Sequence, residues 1–236
     1  MIKNKKVIAI IPARSGSKGL KNKNIMSLDG KPLLSWPIHS SLKSKYVDRT
    51  IVSTDSEKYS QIAVKYGAEI PFIRPKEISI DSSTSLEVIE HVIRSIGLLS
   101  PDIIILLEPT SPFTTSSDID DCLEKLVKNE DCTSLVGLSK SDKFHPDYSL
   151  QIDDENYIVN YSDNITNHIA RQKVTDIYYP DGSIYISNVN DLIKKKTFYH
   201  DKTMGYVFPK YKNIEIDDIY DFKFVESLLE YYYENQ

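Results

Sequence analysis

Val7-Ile-Ala-Ile-Ile11 is an apolar, largely β-branched run with no polar interruption. A strand with one wet face alternates polar and apolar residues, whereas an unbroken run belongs to a strand covered on both faces by helices. The run therefore predicts a central parallel strand. Thr50-Ile-Val52 and Ile103 to Leu107 have the same character, and Thr133 to Leu138 and Ser183 to Ile186 repeat it more weakly. Between them, residues 56–66, 83–96 and 117–129 carry helical spacing, as in Tyr59, Ile62, Ala63 and Tyr66. This alternation predicts an α/β chain with a doubly wound, mostly parallel sheet. Thr84 with Glu87, and Thr115 with Asp118, stand three apart, as helix-start pairs do. Asp218 to Tyr233 closes the chain as an amphipathic helix with Phe222, Val225, Leu228 and Leu229 inward.

A chain of 236 residues with 40% hydrophobic content can bury one full core, so residues 1–236 are read as a single domain. From about 139 to 180 the sequence turns polar and rich in Tyr and Asn, with little periodicity, which suggests an inserted arm. An arm that cannot bury its own apolar residues commonly pairs with a second copy, so a homodimer is expected. The charge balance, 29 Lys and Arg against 34 Asp and Glu, is −5 and offers no basic field for nucleic acid. No run approaches the roughly 20 apolar residues of a membrane span, and the apolar stretch near the N-terminus is too short for a signal peptide, so a cytoplasmic location is expected. Cys122 and Cys132 read as core thiols.

The chemistry concentrates in three places. Ile11-Pro-Ala-Arg-Ser-Gly-Ser-Lys-Gly19 directly follows the first strand, where open α/β sheets bind ligands. Gly16 and Gly19 would let backbone N–H groups face an anion, and Arg14 and Lys18 add cations, which suits a polyphosphate. The spacing is neither a Walker A loop nor a dinucleotide fingerprint, and a Gly/Ser turn with two solvated cations is the plainer alternative. In Asn213-Ile-Glu-Ile-Asp217, read as a strand, Glu215 and Asp217 would share one face while the isoleucines enter the core. Two converging carboxylates suit Mg²⁺ completed by substrate phosphates, though Asp217 or Asp218 could equally cap the last helix. Leu106-Leu-Glu-Pro-Thr-Ser-Pro112 places the Glu108 carboxylate at another strand's carboxyl end, unless it is only a rigid proline turn.

Together with Asn22-Lys-Asn24, Ser53-Thr-Asp55, Arg74-Pro75, Ala170-Arg-Gln172 and Pro180-Asp-Gly-Ser-Ile-Tyr185, these blocks resemble the acylneuraminate cytidylyltransferases, or CMP-sialic acid synthetases, in order from residue 7 to about 225. The resemblance implies a sheet of the nucleotide-sugar transferase type, a dimer whose arm helps complete the partner's site, and dependence on Mg²⁺. It implies transfer of CMP from CTP to a sialic-acid-like nonulosonic acid. By position it assigns Arg14, Ser15, Gly16, Lys18, Lys23, Asn24, Arg74, Thr84 and Ser85 to the nucleotide. Glu108, Arg171, Asp181, Tyr185, Phe198 and Tyr199 fall on the sugar, and Glu215 and Asp217 on the metal.

Three positions depart from the resemblance: the family usually has Gln at Glu108, Asn at Asp181 and Asp at Glu215. The first two exchange amides for acceptor-only carboxylates beside an acidic sugar, which repels it unless a cation or a proton compensates. A relative of N-acetylneuraminate with extra amido N–H groups, such as legionaminate, would suit those acceptors. Activation of another 2-keto-3-deoxy sugar acid, a metal-dependent glycosyltransferase and a noncatalytic nucleotide sensor are the rivals.

Overall fold

The computed structural model describes residues 1–97, 101–141, 144–146, 149–161 and 175–234, with side chains to Tyr231. In chain order the elements are β1 (Val7–Pro12), β2 (Ser27–Leu28), β3 (Lys31–Pro32), α1 (Ser35–Lys43), β4 (Arg49–Ser53), α2 (Glu57–Lys65), α3 (Ser85–Ile96) and β5 (Ile103–Leu106). There follow α4 (Ser116–Lys128), β6 (Ser134–Lys140), β7 (Leu150–Ile152), β8 (Ile158–Asn160), β9 (Tyr178–Asn188), α5 (Val189–Lys195), β10 (Thr203–Val207) and α6 (Ile219–Glu234).

Six strands form one sheet in the order β10-β6-β9-β5-β1-β4. β1 pairs in parallel with β4 and β5, and β10 with β6, while β9 is antiparallel to both neighbours and so alone runs against the rest. The unbroken apolar runs do what their composition requires. Val7, Ala9 and Ile11 enter the core under α1, α2 and α4, whereas Ile8 and Ile10 enter the one under α3 and α5. Burial on both faces removes the need for alternation. Cys122 and Cys132 are buried free thiols.

Two helix starts are the pairs expected from spacing. The Thr84 hydroxyl accepts from the Glu87 N–H while the Glu87 carboxylate accepts from the Thr84 N–H, and Thr115 and Asp118 repeat the exchange at α4. Each satisfies orphan N–H groups of a first turn.

The Asn213–Asp217 segment is not a strand, contrary to expectation. It lies in none of the ladders; the Asn213 N–H donates to the Lys210 carbonyl at 3.3 Å and the Ile216 N–H to the Thr110 carbonyl at 2.9 Å. Ile216 itself is fully buried in a third cluster with Leu28, Leu33, Phe113, Phe222 and Val225. One pinned isoleucine thus does the work expected of a paired strand.

β6 and β9 slip register between Val136 and Leu138, which lets Gly182 adopt φ +72° at the rim of the sheet. The arm expected at 139–180 leaves after this slip: Lys140 lies opposite Tyr178, and its ammonium pairs with Asp176 at 2.6 Å. Within it β7 and β8 form an antiparallel hairpin with Leu150, Ile152 and Ile158 exposed. Among the described residues no helix is long and apolar enough to cross a membrane.

A Cβ on Gly137 would collide with the Ser183 hydroxyl and stand 2.9 Å from the Phe208 ring. Gly137→Ala should therefore destabilise the chain by about 1–3 kcal/mol, read from urea unfolding. A variant as stable as its parent would show that the slip tolerates a side chain.

Candidate active site

Parallel strands deliver their carboxyl ends to one rim, and in this sheet β1, β4 and β5 deliver the Arg14 loop, Asp55 and Glu108 there. β9, running the other way, brings Tyr185 beside Leu106 at the same rim.

The Arg14 loop is held from behind. Asp55 accepts from the Ser15 N–H at 2.8 Å and from its hydroxyl at 2.9 Å, and the buried Asn24 donates its side-chain N–H to the Arg14 carbonyl at 3.0 Å. Ser15 is therefore turned toward Asp55. Neither Gly16 nor Gly19 has a left-handed backbone, so the loop does not need glycine for its turn. At Gly19 the requirement is closeness: a Cβ would lie 2.6 Å from the Asp217 carbonyl oxygen. At Gly16 nothing stands within 4 Å, leaving open space.

This loop forms one wall of a cavity of about 480 Å³ that gathers Arg14, Lys18, Lys23, Asn24, Arg74, Ser85, Glu108, Glu215 and Asp217. Arg74 is only 4% exposed, and its Nε and Nη2 are buried without a partner. Burial lowers its pKa, an effect opposed by Asp55 and reinforced by Arg14. A desolvated guanidinium with idle donors is arranged to receive an anion. Lys23 donates to the Ile216 carbonyl at 2.8 Å and to the Asp217 carboxylate at 3.1 Å.

A second cavity of about 340 Å³ shares Ser85, Glu108 and Glu215 with the first and is completed by Tyr185, Phe198 and Tyr199. The Tyr185 and Phe198 rings pack with centroids 5.4 Å apart. Among the described residues this cavity has no Lys or Arg, and its two carboxyls and aromatic walls suit a ligand presenting hydroxyl or N–H donors and an apolar or amide flank.

Besides Ser15 and Gly16, which line neither cavity, two more of the anticipated residues stand elsewhere. Thr84 is occupied in capping α3, and Asp181 is buried in the β6–β9 slip, accepting from the Ser139 hydroxyl at 2.7 Å and from the Ser183 N–H at 3.1 Å. Arg171 lies outside the described residues.

Asp81 is a participant that sequence reasoning did not find. It binds Arg14 at 2.5 Å and also pairs with Lys18, whose ammonium and the Arg14 guanidinium hold its carboxyl below the usual range. It thus supplies the negative charge that a phosphate would. No local motif marks it, since it reaches the loop cations from the segment before α3. Thr110, in the Leu106–Pro112 block, donates its hydroxyl to Glu215 at 3.3 Å.

The carboxyls divide into two kinds. Burial, then the neighbouring Glu215, pushes the Glu108 pKa up to about 8, while Lys23 and Arg74 act the other way. Burial and Asp217 raise Glu215. The shift favours the protonated form of Glu108, which can donate as an amide does. The helix cap falls to Asp218, whose carboxylate accepts from the Asp221 N–H at 3.0 Å while Asp221 accepts from the Asp218 N–H at 3.1 Å. That exchange leaves the Asp217 carboxylate to face the cavity. Among the described residues no cluster of three or more His, Cys, Asp or Glu forms a complete metal cage. Glu215 and Asp217 offer only hard oxygen donors, a set that fits Mg²⁺ if phosphates supply the remaining ligands.

The family described as "Cytidylyltransferase" matches residues 8–236. The chain is 35% identical over 92% of its length to the N-acylneuraminate cytidylyltransferase of Escherichia coli O18:K1:H7, of which the match covers 51%, so it spans about half of that relative. It is 30% identical to the CMP-N,N'-diacetyllegionaminic acid synthase of Legionella pneumophila, covering 95% of this chain and 97% of that one. Its fold is shared with the solved structure of a CMP:2-keto-3-deoxy-manno-octonic acid synthetase complexed with CTP, at a TM-score of 0.70 and 15% identity, covering 96% of this chain and 99% of that one.

Two outcomes follow from the electrostatics. Asp81→Asn should tighten nucleoside triphosphate binding severalfold by calorimetry, because the anion no longer displaces a carboxylate from Arg14 and Lys18; unchanged or weaker binding would make Asp81 a loop support only. Glu108 has a folded pKa above its unfolded value near 4.5, so its contribution to stability is complete below pH 4.5 and is lost as pH rises toward about 8. In metal-free protein, Glu108→Gln should gain on its parent between pH 5 and pH 8, by about 2–4 °C in Tm for each kcal/mol recovered. A difference independent of pH would show that Glu108 is ionised throughout.

Proposed function

The chain belongs to the cytidylyltransferase family, and from that premise we propose that it transfers CMP from CTP to the anomeric hydroxyl of a sialic-acid-like nonulosonic acid. The observation that carries the reading is the rim cavity in which Arg14, Lys18, Lys23 and Arg74 oppose Glu215 and Asp217, joined to an aromatic-walled cavity through Ser85, Glu108 and Glu215. The first suits a nucleoside triphosphate, and the second suits the hydroxyl and amide groups of the sugar.

In this reading the anomeric oxygen attacks the α-phosphorus of CTP as the bond from that phosphorus to the bridging oxygen breaks. The hydroxyl gives up its proton to solvent, and pyrophosphate leaves with the bonding electrons. Positioning and charge neutralisation supply most of such an acceleration. Arg14 and Lys18, released from Asp81, bind the departing pyrophosphate. Arg74 adds a buried charge whose idle donors need no reorganisation. Lys23 fixes the backbone that carries Glu215 and Asp217. Those two carboxylates would hold Mg²⁺, which when bound would neutralise phosphate charge and acidify the attacking hydroxyl.

For the sugar, Glu108 in its protonated form donates one hydrogen bond, and Tyr185, Phe198 and Tyr199 pack against the flank. The names of the two relatives share the nonulosonic acid class, which is the class proposed here. The exposed apolar face of the β7–β8 hairpin supports a homodimer joined through the arm. CTP as substrate fits a cytoplasmic enzyme, and a CMP-linked sugar fits a role in building surface polysaccharide.

Lys18→Ala should lower turnover at least tenfold, about 1.4 kcal/mol of barrier, with the fold intact. Asp217→Asn should abolish the response to Mg²⁺, since an amide is a poor ligand for a hard cation. Pyrophosphate release from CTP with a panel of nonulosonic acids measures both. Release without any sugar acid, or none with the whole panel, would overturn the acceptor class.

A further inference from the structure

A third cavity, of about 500 Å³, lies behind the catalytic one and is used by nothing described above. Trp36 and His39 of α1, Phe113 after β5, Tyr66 after α2 and Tyr211 make its aromatic walls, and Leu229 of α6 closes it. Its size falls in the range of small-molecule sites, which runs from about 300 to 1,000 Å³.

The charges of this cavity are one-sided. Lys31, Lys43 and Lys212 line it, and among the described residues no Asp or Glu does. Lys212 is neutralised by Asp118 at 2.5 Å. Lys31 stands 5.7 Å from the centroid of the Trp36 ring, and neither it nor Lys43 has a carboxylate partner among the described residues. Both ammonium groups depress the pKa of His39, after burial. The Trp36 indole N–H is buried without a hydrogen-bond partner. Aromatic walls, two unneutralised cations and an idle donor are complementary to a planar body bearing a negative group.

The walls are continuous with the catalytic site. Pro112 to Ser116 follow Glu108, Pro109 and Thr110 without a break, and Tyr211 and Lys212 precede Glu215. The Ile216 N–H to Thr110 carbonyl bond ties the two segments together between the cavities. A ligand that moved either wall would move a segment carrying a carboxyl of the reaction.

We propose that this cavity is a second binding site, separate from the catalytic one, for a planar aromatic anion, with its ring against Trp36 and Phe113 and its acidic group at Lys31 and Lys43.

Trp36 is the chain's single tryptophan, so its emission reports occupancy directly. The full chain is titrated with 1-anilinonaphthalene-8-sulfonate while Trp36 emission and energy transfer to the probe are followed. Saturable binding of one probe per chain is expected, with transfer from Trp36, and saturating CTP should leave the probe bound. Lys31→Glu with Lys43→Glu should weaken the probe at least tenfold while CTP binding and Tm stay those of the parent. Ser40→Phe, which fills the cavity from the middle of α1 without altering charge, should also weaken it. Absence of binding, unsaturable binding, full displacement by CTP, or indifference to both variants would each overturn the proposal.

Discussion

One lysine joins the two halves of the candidate site. Lys23 leaves the Arg14 loop and donates both to the Ile216 carbonyl and to the Asp217 carboxylate. Asp217 presses its own carbonyl against Gly19, so closely that no side chain fits. The segment bearing the carboxylates is thereby fixed to the loop bearing the cations, although 194 residues separate Lys23 from Asp217 in sequence. Lys23 is 15% exposed and Asp217 73%, so the carboxylate stays largely hydrated while it offsets the cost of burying the ammonium. Ile216 completes the arrangement from the apolar side. Its burial resists withdrawal of the segment, and its N–H is matched by Thr110.

Much of the fold was legible because it rests on local chemistry. β1 and β5 are unbroken apolar runs, and their double-sided burial is what such runs mean. The Thr84–Glu87 and Thr115–Asp118 pairs form because spacing alone brings an N-cap hydroxyl to the third residue of a helix. Elements lacking such marks were missed. α1 begins after Leu34, whose side chain cannot cap, and it contains Pro37 near its start. β10 is half-buried at the sheet edge and shows no clean alternation. The β2–β3 hairpin did carry a signal, Asp29-Gly30 with φ of +50° and +71°, a dipeptide well suited to tight hairpin turns.

The site divides in the same way. Arg14, Lys18 and Glu108 could be placed from sequence because each follows a buried strand, and strand ends converge on one rim. Asp81 and Asp181 could not. Asp81 meets the loop cations only because the segment before α3 folds back over them, and Asp181 is turned into the slip between β6 and β9 by Ser139, which lies 42 residues away in the chain. The charge state of Glu108 is hidden for a related reason: it depends on burial and on Glu215, a neighbour more than a hundred residues distant in sequence.

The lone reversed strand has a consequence for how such a protein can be altered. Because β9 runs against β6, the excursion between them departs and returns at adjacent positions, with Lys140 facing Tyr178. Doubling the length of a loop closed in this way costs only about 0.6 kcal/mol in closure entropy, and the flanking strands need not shift. β1, β4 and β5, which bring the Arg14 loop, Asp55 and Glu108 to the rim, take no part in that excursion. The architecture is therefore modular: the excursion can be exchanged, lengthened or trimmed as a cassette, while the rim that gathers the loop cations and the carboxyls keeps its geometry.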